Sequence, residues 1–90
     1  MRIIEDSAES LGSFYKSNHT GTFTNYGCLS FNGNKIITCG GGGAIITNSK
    51  LTSKKVLHLI SNSKLNHKWK YDYDQLGFNY RMPGINAALG

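Results

Sequence analysis

The chain has 90 residues, room for at most one small domain, and a domain of this size buries only about 60 % of the surface its unfolded chain exposes. Ten Lys and Arg against five Asp and Glu give a net charge of +5, which suits nucleic acid, anionic lipid or a phosphorylated small molecule without choosing among them. Two cysteines, Cys28 and Cys39, exclude a disulfide framework, the absence of a C-x-x-C pair and of ligand spacing among His19, His58 and His67 argues against a metal centre, and no apolar run nears the roughly 20 residues of a membrane span.

In chain order, Arg2 to Glu5 reads as a short buried strand. Asp6 to Leu11 follows with the small and polar residues found at strand carboxyl ends, where open α/β sheets bind ligands. Ser17 to Asn25 is rich in Ser, Thr, Asn and Gly without periodicity and reads as an exposed loop. Tyr26 to Phe31 and Gly43 to Thr47 are further strands, joined by a long glycine-rich connection, Asn32 to Gly42. A helix is expected from Asn48 or Ser49, capped by Ser49, with Leu51, Val56, Leu59 and Ile60 on one face and lysines on the other, ending near Ser61 to Ser63. Asn62 to Gln75 mixes charged, amide and aromatic residues in neither helical nor strand period and reads as a structured surface loop. Pro83 then suits the first position of a last helix carrying Ile85 to Leu89.

The run Gly40 to Gly43 invites a phosphate-loop reading. However, no Lys-Ser or Lys-Thr follows it, and Ile45 stands where the dinucleotide pattern needs glycine. The more informative set is Asp6, Ser30 and Lys35. Asp6 closes one strand, Ser30 lies near the end of the next and Lys35 follows five residues later, so the three can converge on one sheet edge. A carboxylate, a hydroxyl and an amine there are what a phosphorylated, aldehyde-bearing pyridine cofactor requires. The bland alternative is a loop lysine beside a capping aspartate.

Four ordered blocks carry a resemblance. They are Ile4-Glu5-Asp6-Ser7-Ala8-Glu9-Ser10-Leu11-Gly12, Gly21-Thr22-Phe23, Leu29-Ser30-Phe31-Asn32-Gly33-Asn34-Lys35 with its glycine run, and Gly77-Phe78-Asn79-Tyr80-Arg81-Met82. In order and spacing the sequence resembles the DegT/DnrJ/StrS sugar aminotransferases, most of all those that aminate UDP-linked 4-keto-6-deoxy-N-acetylhexosamines. The resemblance implies an α/β fold, part of the large domain of the aspartate-aminotransferase-like architecture (pyridoxal-phosphate fold type I). It also implies pyridoxal 5′-phosphate as cofactor, a nucleotide-linked keto-sugar and glutamate as substrates, and a homodimer in glycan or surface-polysaccharide synthesis. Lys35 would hold the cofactor and move protons during the reaction. Asp6 would pair with the pyridine nitrogen, Ser30 would bond the phosphate, and Asn79 would reach the phosphate in the neighbouring subunit's site. Glu9 stands where many members carry Gln or His near the ring hydroxyl. Arg81 could equally hold its own loop, and Trp69 and Tyr71 line either a sugar-nucleotide entrance or an interface.

On this reading residues 1–90 are a fragment of the cofactor-binding domain, inactive alone, with the upstream phosphate loop, the ring-stacking aromatic and the C-terminal domain outside it. No signal peptide is recognisable, so a cytoplasmic location is expected, with no membrane or nucleic-acid partner. Two rivals stand beside it: a truncated product with no function, and a small basic module that binds single-stranded nucleic acid through its lysines with Trp69, Tyr71 and Tyr73.

Overall fold

The computed structural model describes residues 1–90, in two compact units: Met1–Asn48 with Met82–Gly90, and Ser49–Arg81. In the first unit, β1 (Ile4–Asp6), β4 (Tyr26–Ser30) and β5 (Gly43–Ile46) form a sheet in the order β1-β4-β5. Between β1 and β4 lies a small hairpin of β2 (Phe14–Tyr15) and β3 (Asn18–His19). The β1–β4 pair is parallel, with Asp6 opposite Cys28, and the β4–β5 pair is antiparallel, with Ser30 opposite Gly43.

Because side chains alternate across a strand, the register sorts residues onto two faces. Ile4, Asp6, Tyr26, Cys28, Ser30 and Ile45 share one; Glu5, Gly27, Leu29, Ala44 and Ile46 share the other. The first face is the more open, with Ile4 66 % and Ile45 51 % exposed. On the second, Gly27 is buried because the loop before β4 lies directly on it. A Cβ there would sit 2.6 Å from the carbonyl carbon and Cα of Gly21.

The helix α2 (Gly84–Leu89) closes this unit. Pro83 precedes it as the N-cap, with ψ 145°, one position earlier than the sequence suggested. Its Asn86 side-chain amide donates to the Cys39 carbonyl at 2.6 Å, tying the helix to the end of the lysine loop. Gly42 has φ 98°, a left-handed conformation that glycine adopts without penalty, and the Met82 methyl fills the space where a Cβ would stand.

The second unit is built on α1 (Lys50–Ile60), started by Ser49, whose side chain accepts from the Thr52 N–H at 3.1 Å. Val56, Leu59 and Ile60 are half-buried, but Leu51 is 79 % exposed, against the expectation that it shared their face. After the helix, Asn62 and Ser63 take positive φ values of 63° and 53°, and the Ser63 N–H returns to the His58 carbonyl at 2.9 Å. Ser63 is fully buried, its hydroxyl donating to the Leu76 carbonyl at 3.3 Å. The loop that follows pairs through the bridges Lys64↔Tyr73 and Ser61↔Asn79.

Cys39 is the only apolar residue counted as buried, at 2 % exposure, while many large apolar side chains stand in the open. The accessible surface is 7022 Å², whereas a self-contained monomer of this mass would expose about 5,200 Å². No helix is long and apolar enough to cross a membrane.

Candidate active site

The parallel pairing of β1 and β4 points both carboxyl ends to the same sheet edge, where Asp6 and Ser30 end their strands. Asp6 is the last residue of β1, rather than the first residue after it, because the ladder runs to Asp6↔Cys28 and is extended by the Ser7 N–H donating to the Cys28 carbonyl at 2.9 Å. Its carboxylate accepts from the Ala8 N–H at 3.2 Å, turning the chain sharply as it leaves the strand. Ser30 ends β4 on the same face as Asp6, half-buried, its hydroxyl accepting from the Asn32 N–H at 3.4 Å.

Lys35 sits in the turn beyond, its N–H donating to the Asn32 carbonyl at 3.0 Å. Its side chain is only 14 % exposed and its ammonium is paired with Glu9, whose side chain is 75 % exposed. Two candidate residues separated by 26 positions are therefore in direct contact. Glu9 is held by the turn from Ser7 to Ser10, which the hairpin buttresses. The Ser10 hydroxyl donates to Thr20 Oγ1 at 3.0 Å, and the Thr20 hydroxyl donates to the Ser10 carbonyl at 2.8 Å. The Gly12 N–H donates to His19 Nε2 at 2.9 Å, and the other ring nitrogen of His19 meets the Thr20 carbonyl, which fixes the tautomer with hydrogen on Nδ1.

Glu5 is the residue whose part the sequence concealed. Its carboxylate accepts from the Gly21 N–H at 2.7 Å and the Thr24 N–H at 2.6 Å. Burial alone would raise its pKa, but the donors from Gly21, Thr24 and Phe23 outweigh this and hold the carboxyl below its ordinary value. The Gly21-Thr22-Phe23 block and Thr24 thus clamp the strand that ends in Asp6. The partners of Glu5 are backbone N–H groups far along the chain, so no side-chain pattern announced the contact.

Asn79 and Arg81 belong to the second unit and are exposed. Asn79 lies in an extended stretch pinned to the end of α1, where the Phe78 N–H donates to the Leu59 carbonyl at 2.7 Å and the Tyr80 N–H to the Ile60 carbonyl at 3.1 Å. In the same unit Trp69, Tyr71 and Tyr73 sit in one loop, with Lys64 Nζ 3.7 Å from the Tyr71 ring centroid and Lys68 Nζ 5.1 Å from that of Trp69. No group of His, Cys, Asp and Glu could hold a metal ion. An apolar pocket of about 190 Å³ is lined by Phe31, Ile37, Cys39, Met82, Ala87 and Gly90. Without a carboxylate or amine in its walls it offers no acid–base chemistry, so the polar sheet edge is the candidate site.

Known proteins of similar sequence and fold point to one family. GDP-perosamine synthase of Escherichia coli O157:H7 is 44 % identical over 88 residues, covering 98 % of this chain and 24 % of that protein. Among solved structures, Helicobacter pylori PseC, an aminotransferase involved in the biosynthesis of pseudoaminic acid, superposes with a TM-score of 0.91 at 30 % identity, over 99 % of this chain and 24 % of its own. Spr1654 from Streptococcus pneumoniae, solved in a PLP form and a PMP form, superposes with TM-scores of 0.87 and 0.88 at 27 % identity, over 99 % of this chain and 24 % of its own. The chain therefore spans about a quarter of the length of these relatives, and its α/β fold is related to that of the fold type I pyridoxal-phosphate aminotransferases. A family description matches residues 1–90 from end to end, and the chain belongs to the DegT/DnrJ/EryC1/StrS aminotransferase family.

Proposed function

We propose that these residues are a segment of the cofactor-binding large domain of a sugar-nucleotide aminotransferase and that Lys35 is the residue that carries the cofactor. The observation that supports this most is that Asp6 and Ser30 end neighbouring parallel strands on one face of the sheet, and that Lys35, in the turn after Ser30, is paired with Glu9 in the turn after Asp6. The cofactor of this family is pyridoxal 5′-phosphate, in keeping with the PLP and PMP forms of Spr1654. When bound, it supplies an electron sink for the charge released as a C–H bond breaks.

The donor set fits that group. Asp6, on the open face, keeps a proton on the pyridine nitrogen by pairing with it. Ser30 donates its hydroxyl to a phosphate oxygen. Lys35 would hold the aldehyde carbon through Nζ, and its free amine would be the group at this edge able to take up and give back a proton. Its low exposure keeps bulk water from that transfer. Asn79 reaches the phosphate of a neighbouring subunit, so a homodimer completes the pocket, and Glu9 stands beside the ring hydroxyl.

The substrate is a nucleotide-linked 4-keto-6-deoxy sugar, the amino donor glutamate, and the product an intermediate of glycan or surface-polysaccharide synthesis. GDP-perosamine synthase supports the nucleotide linkage and widens the expected nucleotide from UDP to UDP or GDP. With one buried apolar residue to anchor them, the 90 residues alone are inactive.

The test is borohydride reduction of the full-length protein after mixing with pyridoxal phosphate, followed by peptide mapping. A phosphopyridoxyl group on Lys35, and loss of both the label and the reducible absorbance band near the visible edge in Lys35→Ala, is the expected result. A label on a different lysine, or a band that survives in Lys35→Ala, overturns the assignment.

A further inference from the structure

The Glu9–Lys35 pair occupies the one atom that the proposed chemistry needs free. The Lys35 side chain is largely shielded, while the Glu9 side chain that holds it is three-quarters exposed and sits on a braced turn. We infer that Glu9 is a latch on Lys35: it holds the amine at the sheet edge and has to let go before the nitrogen can attack an aldehyde. This rests on reading Lys35 as the cofactor lysine.

Capture balances simply. The ammonium leaves the Glu9 carboxylate and loses one proton to solvent, nitrogen bonds to the aldehyde carbon, and the aldehyde oxygen departs as water. The step that Glu9 governs is the first, opening of the pair. Glu9 is thus a positioning residue that acts through Lys35, and its effect is on loading. Since one partner is well exposed, the pair is weak and screened by salt, and its opening is worth roughly two- to five-fold in rate.

The experiment uses full-length protein stripped of cofactor, and formaldehyde with cyanoborohydride as a small neutral aldehyde. Methylation of Lys35 is read by mass spectrometry against Lys50, which takes part in no ion pair. Glu9→Gln is expected to raise the Lys35-to-Lys50 ratio roughly two- to five-fold. About 0.5 M salt should raise the ratio in the native protein and leave it unchanged in Glu9→Gln, a response that a merely structural role for Glu9 does not produce. Glu9→Asp, which keeps the charge on a shorter arm, should lie between the two and serves if Glu9→Gln fails to fold. A ratio unmoved by every substitution and by salt overturns the latch. Failure of the Lys35 assignment shows separately, as absence of phosphopyridoxyl label on Lys35 when pyridoxal phosphate replaces formaldehyde.

Discussion

Replacing Gly27 by alanine tests the packing that holds the candidate site. The added Cβ would lie 2.6 Å from the carbonyl carbon and from Cα of Gly21, and closer still to the carbonyl oxygen, where carbon atoms ordinarily rest about 3.5–4.0 Å apart. All the obstructing atoms are main chain, so no side chain can rotate away and one segment has to retreat by about 1 Å. Overpacking of this kind costs about 1–3 kcal/mol, and the rigidity on both sides puts Gly27→Ala near about 3 kcal/mol. The retreat also pulls Gly21 from Glu5, so the strand carrying Asp6 loosens with it. Gly33→Ala is the control: nothing lies within 4 Å of its added Cβ, and it should be neutral or stabilising by up to about 1 kcal/mol through the unfolded state. In urea denaturation of the full-length protein, with a slope above the roughly 1–3 kcal/mol per molar of small domains, Gly27→Ala should lower the midpoint by about 0.5–1 M. A fall below about 0.3 M, or an equal fall for Gly33→Ala, refutes the close-approach argument.

Two further outcomes follow from the same structure. Because the Glu5 carboxyl is held below its ordinary pKa of 4.5 in the folded protein, its contribution is present above that value and is lost as pH falls through the depressed one. Glu5→Gln should therefore be less stable than the native protein at pH 7, and the gap should narrow at about pH 3.5; urea midpoints at the two pH values check this, and a constant gap contradicts it. Ser49→Ala removes the side-chain acceptor from Thr52 at the start of α1 and should cost about 1 kcal/mol, measured as a lower midpoint that Ser49→Asp restores.

What the sequence made legible is what local chemistry dictates. Ser49 caps its helix because a hydroxyl before a periodic apolar stretch has an unpaired N–H to accept from. The three sheet strands follow from apolar runs bounded by glycine and polar residues, and the shared edge of Asp6 and Ser30 follows from both being strand ends. The hairpin of β2 and β3 was hidden for a specific reason. Its two-residue turn is Lys16-Ser17, both at positive φ, 47° and 67°. Such turns ordinarily announce themselves with Asn-Gly or Asp-Gly, and without that signal the segment read as loop. Glu5 escaped because its partners are backbone N–H groups 16 and 19 residues away, a contact that no side-chain pattern records. Leu51 misled in the opposite sense, since helical periodicity reports which face is apolar and cannot report whether anything lies against it.

The three-stranded sheet leaves β1 and β5 at its margins, each with one side free of strand partners within the chain. Unpaired margins of this kind are templates for further strands, and here they flank the edge that carries Asp6 and Ser30. Any strand added at either margin would also fix how far that edge can twist, and so the spacing between Asp6 and Ser30, the groups proposed to grip one small molecule. Grafting the lysine loop and its neighbours onto an unrelated scaffold would transfer the reactive side chains without the lateral strands that keep them in register.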